Sequence, residues 1–197
     1  MVSRSRTGRS TICSASILRS KETENRLGSI AIGRARGCDA DVVAAMRVAS
    51  HTERHPQDDP AENERFADAC RAFFAIQLGA RSPFLCAWIA WDVADHDRPI
   101  GSATLTLVPT LPRLGESGPL LDARVRNVYV VPSSRRRGVA RALMLALLGH
   151  VAELGIRRLT LGSSRMGRPL YESLGFIAKS DEMLIELQRD SATTLEP

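Results

Sequence analysis

The chain has 197 residues, of which 44% are hydrophobic and 25% charged, close to the values of an ordinary globular protein. That length accommodates one domain with a tail. The longest apolar runs, over residues 84–91 and 139–148, are far shorter than the roughly 20 residues that a membrane helix needs. The sequence therefore argues against a membrane-spanning protein.

The net charge of +5 is concentrated at the amino terminus. Residues 1–27 hold six basic and two acidic side chains, whereas the other 170 residues hold 21 basic and 20 acidic ones. We predict a disordered or weakly ordered basic Ser/Arg tail over 1–27, a folded domain over 28–190 and a short tail over 191–197. Because the body is nearly neutral and has few aromatic residues, we expect no nucleic-acid partner.

The four cysteines, Cys13, Cys38, Cys70 and Cys86, form no C-x-x-C pair and show no zinc-site spacing with histidine. Cys70 and Cys86 lie in apolar surroundings and are typical of small buried hydrophobic residues. This usage predicts a reduced, cytoplasmic protein without a bound metal.

The first half of the chain predicts two helices among strands. A strand is expected over 29–35, followed by a helix over 42–50 and a polar loop over 51–59. A second helix opens at Asp59-Pro60 and ends at Gly79, with an apolar face that includes Phe73 and Ile76. Two apolar runs, over 84–91 and 100–108, then form a hairpin around the turn-like residues 95–99.

Strands and helices alternate in the second half. After a Pro- and Gly-containing loop over 109–121, we predict strands over 124–131 and 158–161, with a helix over 139–154 between them. A short helix carrying Leu170, Tyr171 and Leu174 ends at Gly175, and the last strands are expected over 176–179 and 182–187. This order predicts an α/β or α+β domain with a mixed sheet.

The most informative segment joins the predicted strand over 124–131, which ends at Pro132, to the predicted helix that follows it. Three arginines, Arg135 to Arg137, precede Gly138, which sits where the helix begins. Free N–H groups and the dipole of a helix start favour an anion, and glycine permits close approach of the backbone to a ligand. The dinucleotide and P-loop fingerprints are both absent. The segment therefore indicates either a cradle for a diphosphate or a solvated arginine turn before an ordinary amphipathic helix.

Residues 127–144 resemble the acetyl-CoA motif of the GNAT N-acetyltransferases, [Q/R]-x-x-G-x-[G/A], with Arg135, Gly138 and Ala140 at its defined positions. Residues 167–176 resemble the family's later motif, L-Y-x-x-L-G-F. The resemblance spans roughly 160 residues. It implies a single domain whose mixed, mostly antiparallel sheet of six to seven strands is flanked by about four helices and splayed between the fourth and fifth strands.

The resemblance also implies acetyl-CoA as co-substrate, with its arm in the splayed gap and its diphosphate on the turn. The residues that would hold it, mainly through backbone groups, are Val128, Tyr129, Val130, Arg135, Arg136, Arg137, Gly138, Val139 and Ala140.

Tyr171 matches the position of the family's general acid, which protonates the departing thiolate. It could instead pack with Leu170 and Phe176 and serve only the structure. Ser164 lies near the position at which the family places a polar side chain on the cofactor arm, and it is equally suited to cap a helix.

The sequence departs from many relatives at the general base, because Arg124 and Arg126 stand where those relatives carry Glu or His. Asp122 and the polar residues His51, Glu53 and His55 are the nearby candidates, and we assign no base. Arg124 and Arg126 share one side of the strand. They could face an anionic acceptor, cover the cofactor arm, or pair with Glu116 and Asp122.

We therefore predict an acetyl-CoA-dependent N-acetyltransferase that acts on a primary amine of a small molecule or peptide. Assembly as a homodimer is compatible with the sequence and is not encoded in it. The alternative is a non-catalytic acyl-CoA-binding or sensory domain that has kept the cradle and lost the chemistry. The identity of the acceptor is not encoded in any motif.

Overall fold

The computed structural model describes residues 25–79, 84–95, 98–112, 114 and 119–179. Two compact units make up the chain, Met1–Gly162 and Ser163–Pro197. The described part of the first unit contains a six-stranded sheet and three helices, and the described part of the second contains one short helix. Within these residues, no helix is both long and apolar enough to cross a bilayer.

The sheet follows chain order from β1 to β6, and its first five strands pair antiparallel. Only the last pair, β5 with β6, is parallel. The strands are β1 (Asn25–Leu27), β2 (Ile30–Arg34), β3 (Leu85–Asp92), β4 (Arg98–Pro109), β5 (Leu121–Val130) and β6 (Leu159–Leu161). The helices are α1 (Ala40–Arg54), α2 (Pro60–Gly79), α3 (Val139–Glu153) and α4 (Arg168–Ser173). The predicted fold class, a mixed and mostly antiparallel sheet with about four helices, is confirmed.

Helices cover both faces of the sheet, which explains why every residue of β3 is buried. On one face Ala87 and Ile89 pack with Val43 of α1 and Phe74 of α2. On the other face Trp88 meets His150 of α3 edge-on. The central strands are therefore covered by helices on both faces.

Several predicted boundaries are wrong. α1 continues through residues 51–54, because the side chains of Arg54 and His51 bond to the Ser50 carbonyl and to Asp58 and so stabilise its last turn. On α2 the inward residues are Cys70, Phe74 and Leu78, whereas Phe73 and Ile76 are exposed. The sequence of α2 contains two neighbouring apolar stripes. The stripe whose residues are spaced by four, Cys70, Phe74 and Leu78, faces the sheet.

The ends of the chain also differ from the prediction. The last residues of the predicted tail form β1, which pairs with β2, and the rest of that tail lies outside the described residues. Residues 176–179 form no strand, since Gly175 (φ +90°) turns the chain and no described strand pairs with the residues after it. The strand expected over 182–187 lies outside the described residues.

Candidate active site

β5 parts from β6 midway along its length. The two strands pair from Ala123–Leu159 to Val125–Leu161, and the pairing ends there. On the other side of β5, Leu105 pairs with Val125 and Thr104 with Asn127, which leaves Arg126 as an extra residue in the ladder. Such a bulge bends a strand and increases its twist. The bulge therefore lies where β5 and β6 separate. The family resemblance implied a splay between the fourth and fifth strands, and the strand numbers differ by one because β1 was not predicted.

Val128, Tyr129 and Val130 lie beyond this point, on the part of β5 that has no β6 partner among the described residues. Their other edge pairs with β4, where Gly101 faces Val130. A Cβ at Gly101 would lie 2.7 Å from the Tyr129 carbonyl oxygen, so the close approach of β4 and β5 here requires glycine. The backbone of residues 128–130 is thus fixed on one edge and open to a ligand on the other.

The turn after β5 forms a concave row of backbone N–H groups. A short 3-10 turn over Pro132–Ser134 leads into Arg136 (φ 62°) and Gly138 (φ 81°), both in the left-handed region, and α3 starts at Val139. None of the N–H groups over residues 136–140 has a backbone acceptor in the described part of the chain. Successive N–H groups in such a turn form an anion-binding nest. This geometry suits a diphosphate.

The guanidinium group of Arg135 is already engaged by the protein. Its Nη2 atom lies 2.6 and 2.7 Å from the two carboxylate oxygens of Glu53, and its Nε donates to the Val130 carbonyl at 3.0 Å. The same group lies over the Tyr129 ring. Arg135 therefore connects the carboxyl-terminal end of α1 to β5, and its charge is balanced by Glu53.

Arg137 is held in a similar way. Its Nη2 lies 3.1 Å from Oδ2 of the buried Asp92 and donates to the Ser29 hydroxyl at 3.4 Å. Arg136 is exposed, and no ion pair or hydrogen bond holds its side chain among the described residues. Of the three arginines predicted to bind the cofactor, Arg136 alone offers an uncommitted charge.

Electrostatics decide what Glu53 can do. Hydrogen bonding from Arg135 lowers the pKa of the Glu53 carboxyl. The pKa of Tyr129 is raised, mainly by burial and also by the negative charge of Glu53. An acid with a lowered pKa is a poor proton acceptor at neutral pH. Glu53 is thus a positioning group for Arg135 and a weak candidate for the general base.

Three buried polar atoms lie on β4 and β5 beside the bulge. They are Oγ of Ser102, Oγ1 of Thr104 and Nδ2 of Asn127, and none has a hydrogen-bond partner among the described residues. Each unsatisfied buried group costs about 1–3 kcal/mol. Apolar residues of similar size would suit the fold better, so the polar character of these positions needs an explanation other than stability.

The second unit contains Ser164 and Tyr171. The Ser164 hydroxyl accepts the Gly167 N–H at 3.1 Å and so supports the turn that precedes α4, whose N-cap residue is Gly167 and not Ser164. Tyr171 lies on α4 with its ring edge-on to Phe176 at 6.0 Å. Burial raises the pKa of Tyr171, so its phenol is a weaker acid than a phenol in water. Packing and proton donation are both compatible with this environment.

The described residues contain no group of three or more His, Cys, Asp or Glu side chains that could hold a metal ion. The sequence pointed to Glu53 only as a candidate for the general base and did not point to Asp92 at all, so both were missed as partners of the turn. Each lies more than 40 residues from its arginine, and no local pattern links them.

Comparisons with known proteins agree with this geometry. A family model described as "Acetyltransferase (GNAT) family" matches residues 42–176, well over half of the chain. The chain belongs to the acetyltransferase (GNAT) family. The family predicted from the two sequence motifs is thereby confirmed, and acetyltransferases of this family use acetyl-CoA.

Sequence similarity to an individual curated relative covers less than half of this chain. A glucosamine 6-phosphate N-acetyltransferase from Trypanosoma brucei brucei is 33% identical over 90 residues, which are 46% of this chain and 58% of that protein. The match thus spans little more than half the length of this curated relative.

Solved structures share the fold at lower identity. A GCN5-related N-acetyltransferase from Ralstonia eutropha JMP134 superposes with a TM-score of 0.66 at 23% identity, over 80% of this chain and 98% of that one. A predicted acetyltransferase from Clostridium acetobutylicum, solved with acetyl-CoA, gives 0.66 at 19% identity, over 80% and 96%. These likenesses establish the fold of the GNAT chain.

Proposed function

We propose that this chain transfers the acetyl group of acetyl-CoA to a primary amine. The observation that carries the proposal is the coincidence of two features: N–H groups over residues 136–140 without a backbone acceptor among the described residues, and an edge of β5 over residues 128–130 that no described strand covers. The diphosphate would bind the turn, and the extended thioester arm would lie along the β5 edge. The two features belong to one continuous backbone segment, residues 128–140.

The reaction needs no metal. The neutral amine attacks the thioester carbonyl carbon, a C–N bond forms, and a tetrahedral intermediate carries the negative charge on oxygen. Backbone N–H groups near Val130 are suited to stabilise that charge. The C–S bond then breaks, the amine nitrogen loses its proton to solvent, and Tyr171 donates a proton to the thiolate. A phenol is ordinarily about 1.5 pKa units less acidic than a thiol, and burial raises the pKa of Tyr171 further, so this proton transfer is uphill and follows the energetically favourable collapse of the intermediate.

An amino-sugar phosphate is the first acceptor to test, because the curated relative is named for glucosamine 6-phosphate. The test incubates purified protein with acetyl-CoA and a panel of amines, and measures free CoA with a thiol reagent. Amine-dependent release of CoA supports the proposal. No release with any amine, together with no binding of acetyl-CoA by calorimetry, would refute it.

A second candidate is an acyl-CoA-binding domain without catalytic activity. It is favoured by the environment of Glu53, whose carboxylate is committed to Arg135 and has a lowered pKa. Tight binding of acetyl-CoA with no turnover on any amine would select this candidate over the enzyme.

A further inference from the structure

One face of the sheet changes from apolar to polar between β3 and β4. On the side covered by α1 and α2, the β3 residues Leu85, Ala87 and Ile89 belong to the apolar core. The residues that pair with them on β4 are Thr106, Thr104 and Ser102. Since paired residues lie on the same face, a polar column stands directly beside an apolar one.

The polar column continues onto β5. Thr104 pairs with Asn127 and Thr106 with Arg124, so both β5 side chains lie on that same face. Arg126 joins them, because its Nε donates to the Thr106 hydroxyl at 3.2 Å. We call this surface the polar strip; it comprises Ser102, Thr104, Thr106, Arg124, Arg126 and Asn127.

The strip ends in two guanidinium groups. Arg126 is exposed, and its one hydrogen bond to a described side chain goes to the neutral Thr106 hydroxyl, which leaves its terminal nitrogens available. Arg124 is half-buried, and no described acid forms an ion pair with either guanidinium group. Arg126 is also the extra residue of the bulge, a feature that re-aims side chains next to active sites.

The distance from these groups to the open edge suits a small acceptor. Arg126 precedes residues 128–130 by two to four positions, which is about 7–13 Å along a strand. An amine at the open edge could thus carry an anionic group that reaches the arginines. Planar guanidinium groups bind phosphate and carboxylate through paired hydrogen bonds.

We propose that Arg124 and Arg126 form a subsite for an anionic group, phosphate or carboxylate, carried by the acceptor amine. The inference rests on the proposed function and deepens it. It accounts for arginines at positions where a base would otherwise act, and for polar side chains on a face that is apolar one strand away. The buried hydroxyl and amide groups of Ser102, Thr104 and Asn127 extend the polar lining beneath α1.

The test uses two matched pairs of amines: glucosamine 6-phosphate with glucosamine, and 6-aminohexanoate with hexylamine. In at least one pair we expect kcat/KM to favour the anionic member by about 10- to 100-fold, the range of one or two charge-assisted hydrogen bonds. In the double variant Arg124→Gln/Arg126→Gln this preference should fall to within about 3-fold, with an unchanged KM for acetyl-CoA. Arg65→Gln, an exposed arginine on α2, is the control and should retain the preference.

Equal use of both members in each pair, or a preference that survives in the double variant, would overturn the subsite. A binding measurement keeps this result separate from the proposed function. Glucose 6-phosphate, which has no amine, should bind the wild-type chain in calorimetry more tightly than glucose does, and should lose that advantage in the double variant. Such binding without acetylation of any amine would support the subsite and refute the enzyme; absence of both would refute both.

Discussion

The turn over residues 131–140 and the polar strip differ in whether their arginines are paired with acidic side chains. In the turn, Arg135 and Arg137 are balanced by Glu53 and Asp92, and binding capacity resides in the backbone N–H groups. In the strip, the two guanidinium groups have no such acidic partners among the described residues. Arg135 to Arg137 are the densest run of positive charge in the sequence, yet only Arg136 of these three lacks an acidic partner among the described residues, as both Arg124 and Arg126 do. A cluster of cations identifies a site only after its acidic partners are known.

Changing the backbone of the turn should have the largest effect. Gly138→Val places a β-branched residue at φ 81°, which costs about 1–2 kcal/mol of strain and disturbs N–H groups each worth about 1.5–3 kcal/mol to a charged ligand. We expect affinity for acetyl-CoA to fall by about 1,000-fold in calorimetry. Gly149→Ala, on the open surface of α3, is the matched control and should bind normally with slightly higher stability. Normal binding by Gly138→Val would show that the turn does not hold the ligand.

Tyr171→Phe tests whether binding of acetyl-CoA by the turn and the β5 edge is sufficient for turnover. Loss of a general acid typically lowers the rate by 100-fold or more, so we expect kcat to fall by about 100-fold while affinity for acetyl-CoA changes little. Steady-state CoA release and calorimetry separate the two quantities. An unchanged kcat would remove Tyr171 from the mechanism and leave it the packing role that its contact with Phe176 describes.

The contrast between free and balanced arginines can be measured within the turn itself. Arg136→Ala removes the uncommitted charge and should weaken binding of acetyl-CoA by about 3- to 10-fold at low salt, with less effect at high salt. Arg137→Ala removes a charge that Asp92 already balances, so it should weaken binding less and lower the melting temperature more. The reverse ranking would mean that Asp92 releases Arg137 when the ligand binds.

The smallest effect is expected from the Glu53–Arg135 pair. Because Arg135 lowers the pKa of Glu53 in the folded chain, the pair stabilises the fold above the ordinary pKa of about 4.5, and this contribution is lost as pH falls through the lowered value. Glu53→Gln should therefore lower the melting temperature by a few degrees at pH 7. The difference in melting temperature between Glu53→Gln and the wild type should disappear when the pH falls below the lowered pKa of Glu53. Glu64→Gln, an exposed glutamate on α2, should show no such pH-dependent difference.

Much of the fold could be predicted from the sequence because its signals are local. The turn-like residues 95–99, the two apolar runs that form β3 and β4, and Gly138 before a leucine-rich helix each report on their neighbours in the chain. Boundaries failed where tertiary contacts decide them. Pairing with β2 turns three residues of the predicted tail into β1, and side-chain contacts of His51 and Arg54 extend α1.

The candidate site was predictable in its backbone and less so in its side chains. The motif identified the turn and the strand before it, since a backbone nest has a short sequence signature. The partners of Arg135 and Arg137 lie 82 and 45 residues away, and the polar strip arises only when β3, β4 and β5 are laid in register. No window of sequence contains that arrangement.

The bulge at Arg126 has a consequence for how such a catalyst can arise. A version of the chain without Arg126 would keep the in-and-out alternation of Val125 and Asn127, and we expect it to form an uninterrupted ladder with a flatter sheet. Its β5 would lack the bend and added twist that the bulge gives the strand where its pairing with β6 ends. One extra residue thus interrupts the regular ladder where β5 and β6 separate, and it places its own side chain beside that opening.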